Sequence, residues 1–203
     1  LLEARDDDLP IYVGTRQFLH HIAGFDVHRG CLALGIRPVR SDDVSLPQLP
    51  AARRVVVLED IGNPDNIGGI FRNALAFGAE CVLLSPHCCD PLYRKAIRVS
   101  IGATLRLAFG YIDDWPEGLA RIQAGGLTLV ALTPDATAID IAVLASRPPP
   151  RIALLVGTEG PGLSGAATAR ADVSVRIPQA AGTDSLNVAT ATGIALHRFA
   201  DVS

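Results

Sequence analysis

Three short constellations carry residue types that do chemistry. Ser185 and Asn187 stand two positions apart where an apolar strand gives way to a small-residue helix. From there a hydroxyl and an amide can aim at one point if the loop between them is extended; helix capping is the alternative duty. Glu159 sits between Gly157 and Gly160, glycines that let backbone amides approach a ligand. A plain turn followed by a helix capped by Ser164 explains the same residues. Asn66-Ile67-Gly68-Gly69 precedes a helix that carries Phe71 and Leu75 inward, with Arg72 on a different face. An Asn at a helix start is usually a cap, but an Arg near a helix N-terminus opposes the macrodipole, which a local anion such as an RNA phosphate explains.

Weaker signals surround these. Arg94 and Arg98 lie one turn apart with Lys95 beside them, a candidate phosphate patch or a solvated helix face; Arg53 and Arg54 are lesser candidates. Gly160-Pro161-Gly162-Leu163-Ser164-Gly165 fits the dinucleotide-binding G-x-G-x-x-G. Against that, the helix after it is short, and the next strand ends Ile177-Pro178-Gln179 without the carboxylate that holds a ribose hydroxyl. Cys31, Cys81, Cys88 and Cys89 lack a repeated two-residue spacing, and the adjacent pair in His87-Cys88-Cys89 is poorly placed to share one tetrahedral zinc. No metal is expected, and the pair reads as reduced and partly buried at a strand end. His20, His21, His28 and His197 have no neighbouring nucleophile pattern and read as structural or surface residues.

The elements that must position these groups alternate. Short β-branched and apolar-rich runs, at 55–58, 81–84, 105–109, 127–132, 152–156 and 173–177, interleave with helical patterns at 67–77, 91–99, 116–124, after Ser164, and 187–200. Gly78 closes the first of these helices, and Asp113, Asp114 and Glu117 suit the start of another. The fold class is α/β, a parallel sheet with helices on both faces. Pro148-Pro149-Pro150 reads as a rigid connector.

Upstream, Ile11-Tyr12-Val13, a helix over 16–22 closed by Gly24, and the apolar Cys31-Leu32-Ala33-Leu34 are too little to fold alone, and 41–50 reads as an interdomain linker. The 203 residues, 49% hydrophobic and 19% charged, suit one globular domain plus a smaller part. The chain holds no Met, so an upstream segment is expected to be missing. No apolar run nears the roughly 18 residues of a membrane span, and the acidic first residues are unlike a secretory leader, so no membrane partner and a cytoplasmic location are expected. A net charge of −3 argues against broad electrostatic capture of nucleic acid; any RNA contact must be local. All basic residues but Lys95 are Arg, which suits phosphate and base stacking but equally reflects codon bias.

In order along the chain, the segments around Asn66–Arg72, Gly157–Ser164 and 177–192 resemble the three motifs of the SpoU (TrmH) family of RNA ribose methyltransferases. The resemblance spans 54–200 and implies a SPOUT-type fold with a C-terminal trefoil knot, S-adenosylmethionine as cofactor, and a homodimer with a site shared between subunits. It implies 51–203 as the methyltransferase domain and 1–50 as the remnant of an L30e-like RNA-binding domain plus linker. Cofactor contacts map to Leu132, Thr133, Val156, Gly157, Gly160, Ile177, Ser185, Leu186, Asn187 and Val188, with Pro134 and Pro178 stiffening the loop starts. Arg72 is the implied catalytic residue, Asn66 orients it or the RNA, Glu159 anchors the site, and Ser185 and Asn187 complete it; Arg72 is the expected RNA contact there, and Arg94, Lys95 and Arg98 are further candidates from their spacing alone. Relatives usually carry Met where this chain has Gln179. The implied reaction is methylation of a ribose 2′-hydroxyl, in ribosomal RNA ahead of transfer RNA. The alternatives are a catalytically silent RNA-binding scaffold and methylation of a base.

Overall fold

The computed structural model describes residues 14–24 and 52–200. The chain divides into two units, Leu1–Arg40 and Ser41–Ser203. The described part of the first is a single helix, α1 (Arg16–Ala23). The Thr15 hydroxyl caps it by accepting from the Phe18 N–H, and Gly24 ends it in the left-handed region, as the sequence predicts. The expected strand at 11–13, the apolar run at 31–34 and the linker at 41–50 lie outside the described residues.

In the second unit, β1 (Arg54–Glu59), β2 (Cys81–Leu84), β3 (Ala108–Tyr111), β4 (Thr128–Leu132), β5 (Ile139–Asp140), β6 (Ile152–Gly157) and β7 (Val173–Arg176) form one sheet. Its order is β3-β2-β1-β6-β4-β7-β5, parallel throughout. The helices are α2 (Pro64–Ala76), α3 (Arg94–Val99), α4 (Leu119–Ala124), α5 (Ile141–Ser146), α6 (Gly165–Thr168) and α7 (Val188–Phe199). Successive strand residues face opposite ways. Val56 and Leu58 therefore pack under Ile67, Ile70 and Phe71 of α2 and Leu196 and Phe199 of α7. Val55 and Val57 pack with Leu119 and Ile122 of α4 and Ala167 of α6. Burial on both faces explains the uninterrupted apolar runs. Among the described residues, no helix is long and apolar enough to cross a membrane.

The departures from the sequence expectation are local. Helix α2 begins at Pro64, three residues before the expected start, because the Asn63 side chain caps it and Pro suits the first turn. Helix α3 begins only at Arg94, since the Asp90 carboxylate binds the Leu92 N–H and holds the preceding residues in a turn. Residues Ala103–Leu105 form a 3₁₀ turn, and β3 follows at 108–111, where pairing with β2 sets its register. Asp114 and Glu117 precede α4 rather than open it, pairing with Arg121 and Arg170. The β5–α5 unit was not expected; a two-residue strand has no readable period, and its partner β7 lies far away in sequence.

Cys81 and Cys88 are buried free thiols and Cys89 is half-buried, with Cys88 donating to the Leu58 carbonyl. Burial, then the Glu80 charge, pushes the Cys81 thiol up to about 12, and burial raises Cys88, so neither offers a thiolate near neutrality.

The ends of α2 and α3 share one geometry with different residues. Both close with paired backbone bonds, Gly78 N–H to Leu75 O with Ala79 N–H to Ala74 O, and Ile101 N–H to Arg98 O with Gly102 N–H to Ile97 O. The left-handed position is Gly78 in the first and Ile101, at φ 53°, in the second. Ile101 is 71% exposed, so its side chain recovers little by packing. Ile101→Gly is expected to stabilise the protein by about 1 kcal/mol, read as a higher denaturation midpoint with an unchanged m-value.

Candidate active site

Strands β6, β4 and β7 are neighbours in a parallel sheet, so their carboxyl ends lie side by side and the loops after them meet. This is where open α/β sheets bind ligands. The loops enclose a cavity of about 360 Å³. Leu132 and Thr133 come to it from β4, Val156, Gly157, Glu159 and Gly160 from β6, and Ile177, Ser185, Leu186 and Val188 from the segment after β7. Apolar side chains and backbone share its wall, as suits a ligand with a flat apolar part and a polar rim.

Asn187 joins the separate motifs. Its Oδ1 accepts from the N–H groups of Ala189 (3.0 Å) and Thr190 (3.2 Å), capping α7. Its Nδ2 donates to Asn66 Oδ1 (2.9 Å) and to Glu159 Oε1 (2.6 Å). One amide thus caps α7 and ties Asn66 to Glu159, while Asn187 itself is not among the residues that line the cavity. Asn66 is not a cap; it lies in the first turn of α2, buried, and orients Asn187. Close packing supports this junction. A Cβ on Gly69 would stand 2.8 Å from the Ala189 Cβ, and Asn73 Nδ2 donates to the Ala189 carbonyl at 2.7 Å. The small residues of α7 thus seat it on α2.

Gly157 is where the loop after β6 folds back on itself. A Cβ there would meet the Gly162 carbonyl carbon at 2.3 Å and Leu163 N at 2.4 Å. Gly160 (φ 87°) and Gly162 (φ 73°) provide the reversal.

Arg72 stands apart from the cavity. It lies more than two turns inside the 13-residue α2, beyond the reach of the N-terminal dipole, which corrects the expected conflict with it. It is exposed and makes no ion pair or side-chain hydrogen bond with any described residue. On the helix it follows Asp65 and Gly68 at i+7 and i+4, the stripe turned to α3, whereas Asn66, Gly69 and Asn73 face α7. Asn66 therefore does not orient Arg72. On α3, Lys95 pairs with Asp65 at 2.6 Å, while Arg94 and Arg98 are exposed. That basic face borders the α2 N-terminus beside Asn66.

Gln179, Pro134, Asp135 and Leu163 also line the cavity. Asp135 and Leu163 had only adjacency to the predicted loops as a signal. Thr137, through its N–H and then its hydroxyl, holds the Asp135 carboxyl below its ordinary value and keeps a negative charge at the rim. Among the described residues, no three His, Cys, Asp or Glu side chains are grouped to hold a metal.

Residues 53–197 match the profile of the SpoU rRNA Methylase family. The chain belongs to this family. A tRNA/rRNA methyltransferase of Mycobacterium tuberculosis (strain ATCC 25618 / H37Rv) is 41% identical over 203 residues, 97% of this chain and 69% of the relative. The 23S rRNA (guanosine-2′-O-)-methyltransferase RlmB of Salmonella typhi is 28% identical over 190 residues, 92% of this chain and 76% of that protein. The crystal structure of an AdoMet-bound rRNA methyltransferase from Sinorhizobium meliloti superposes with a TM-score of 0.66 at 31% identity, covering 72% of this chain and 55% of that one. The chain thus spans about half the length of that neighbour. The parallel sheet and its helices are those of a SpoU methyltransferase.

Proposed function

We propose that this SpoU-family methyltransferase takes S-adenosylmethionine in the cavity after β4, β6 and β7 and methylates a ribose 2′-hydroxyl of RNA. The observation that carries this reading is Asn187, whose one amide ties the segments of all three motifs together at the cavity. The cofactor supplies an electrophilic methyl group on a sulfonium. Leu132, Val156, Leu186 and Val188 offer the apolar wall for its adenine, and backbone groups around Gly157 and Gly160 its polar edge.

Methyl transfer needs the 2′-oxygen in line with the methyl carbon and stabilised as its proton leaves. A guanidinium holds its proton far above neutrality, so this reading gives Arg72 a binding role rather than that of the base. Standing outside the cavity lining, its guanidinium binds an RNA phosphate and so places the ribose at the cavity mouth, the hydroxyl proton passing to that phosphate as the methyl is transferred. Arg72→Lys keeps the charge and loses the fork; its activity is expected to fall by roughly tenfold or more. Full activity in that variant would exclude bidentate geometry.

Ribosomal RNA is the proposed substrate ahead of transfer RNA, with Arg94, Lys95 and Arg98 as further phosphate contacts. The RNA contact being local, the homodimer, the C-terminal trefoil knot, the cytoplasmic location and an L30e-like origin for 1–50 belong to the same proposal. Calorimetric titration with S-adenosylmethionine, beside Asn187→Ala and Gly157→Val, tests the cofactor assignment. Saturable binding lost in both variants supports it, and no binding to the folded protein overturns it.

A further inference from the structure

Glu59 ends β1, is only 4% exposed, and does not line the cavity. Its carboxylate nonetheless binds Ser164, which directly follows the lining residue Leu163, and also Trp115. Oε1 accepts from the Trp115 indole N–H and from the Ser164 hydroxyl, each at 2.7 Å, and Oε2 accepts from the Ser164 N–H at 2.7 Å. The same Ser164 hydroxyl accepts from the Ala167 N–H at 3.1 Å and so caps α6. Glu59 is paired in register with Gly157, where the loop of the cavity begins, and grips Ser164, where that loop ends. Both ends of 158–163 are therefore tied to neighbouring residues of β1 and β6. The Oε1 that accepts from the Ser164 hydroxyl also holds the segment that carries Trp115 before α4.

We propose that Glu59 is a positioning residue for the cofactor. Through Ser164 it holds the Gly157–Leu163 loop in the shape that forms one wall of the cavity, and through Trp115 it links that wall to the segment after β3. This inference rests on the S-adenosylmethionine reading of the cavity. A carboxylate is required because all three groups that face it are donors. An amide at the same place always opposes a donor with a donor. With its oxygen toward Trp115 and the Ser164 hydroxyl, its NH₂ meets the Ser164 N–H; flipped, its NH₂ meets the indole N–H. Buried hydrogen bonds to a charged acceptor are the costly ones to lose.

Trp115 is the chain's only tryptophan, so its fluorescence reports on this clamp from outside the cavity. The test is titration of the full chain with S-adenosylmethionine, followed by calorimetry and by tryptophan fluorescence, for the wild type, Glu59→Gln, Ser164→Ala and the double variant. In the wild type, saturable binding is expected to change the Trp115 emission with the same midpoint. Glu59→Gln is expected to weaken binding by about tenfold or more while the protein stays folded at the titration temperature. Ser164→Ala is expected to weaken it less, and the double variant to fall short of the product of the two. Should Glu59→Gln fail to fold, Ser164→Ala and Trp115→Phe decide by calorimetry, each weakening binding several-fold. Unchanged affinity in the folded variants, even with a lowered melting temperature, would reduce Glu59 to a purely structural role and overturn the inference. No binding by the wild type would overturn the cofactor reading and this inference with it.

Discussion

Asn187→Ala is expected to abolish saturable S-adenosylmethionine binding and to lower stability by about 2 kcal/mol, because one truncation removes a helix cap and two tertiary hydrogen bonds. Loss of the α7 cap alone accounts for about 1 kcal/mol of this. The remainder is the bond to Asn66 and the charge-assisted bond to Glu159. Asn187→Asp separates the two duties. Its carboxylate still accepts from the Ala189 and Thr190 N–H groups, and a negative charge suits a helix N-terminus. Its other oxygen replaces the Nδ2 that now stands 2.6 Å from Glu159 Oε1, placing two carboxylates in contact. Denaturation should find the Asp variant more stable than the Ala variant, while calorimetry finds binding still impaired at neutral pH. Two carboxylates in contact repel each other, so the impairment comes from charge at the contact and not from a lost cap. Wild-type affinity in the Asp variant at neutral pH would mean that Asn187 serves only as a cap.

Gly157→Ala is expected to be as damaging to cofactor binding as Gly157→Val, since the first added carbon already overlaps backbone. Its Cβ would lie 2.3 Å from the Gly162 carbonyl carbon and 2.4 Å from both Gly162 O and Leu163 N, none of which is a flexible side-chain end. The loop must open to admit the methyl group, and the cavity wall moves with it. Two nearby glycines act as controls. Gly165 has open space around its Cβ position and no left-handed φ, so Gly165→Ala should leave affinity unchanged and stability equal or slightly higher. Gly160 also has open space but sits at φ 87°, so Gly160→Ala should cost about 1–2 kcal/mol of backbone strain. Titration of the three variants beside the wild type gives the order; binding by Gly157→Ala at wild-type affinity would contradict the close contact.

Much of the fold is legible in the sequence. The runs at 55–58, 81–84, 127–132 and 152–156 are each within a residue or two of β1, β2, β4 and β6, because a strand buried on both faces writes its burial into every position. The left-handed end of α2 was legible at Gly78 for a similarly local reason. Elements held by distant pairing were not. The β5–α5 unit offers two strand residues and one helical turn or so, and only the ladder to β7 makes them regular structure.

The cavity was legible as loops and not as contacts. Sequence alone placed Gly157, Glu159, Ser185 and Asn187 at strand ends, because strand-to-loop changes of composition are local and glycine marks backbone that must turn tightly. Tertiary structure decided that the Asn187 amide caps α7 and grips both Asn66 and Glu159, that Arg72 lies on the α3-facing stripe of α2 outside the cavity lining, and that Glu59 holds Ser164 and Trp115. Periodicity records which side of an element is buried. A hydrogen bond across more than a hundred residues depends on strand order, register and helix seating together, and no single stretch of chain encodes all three.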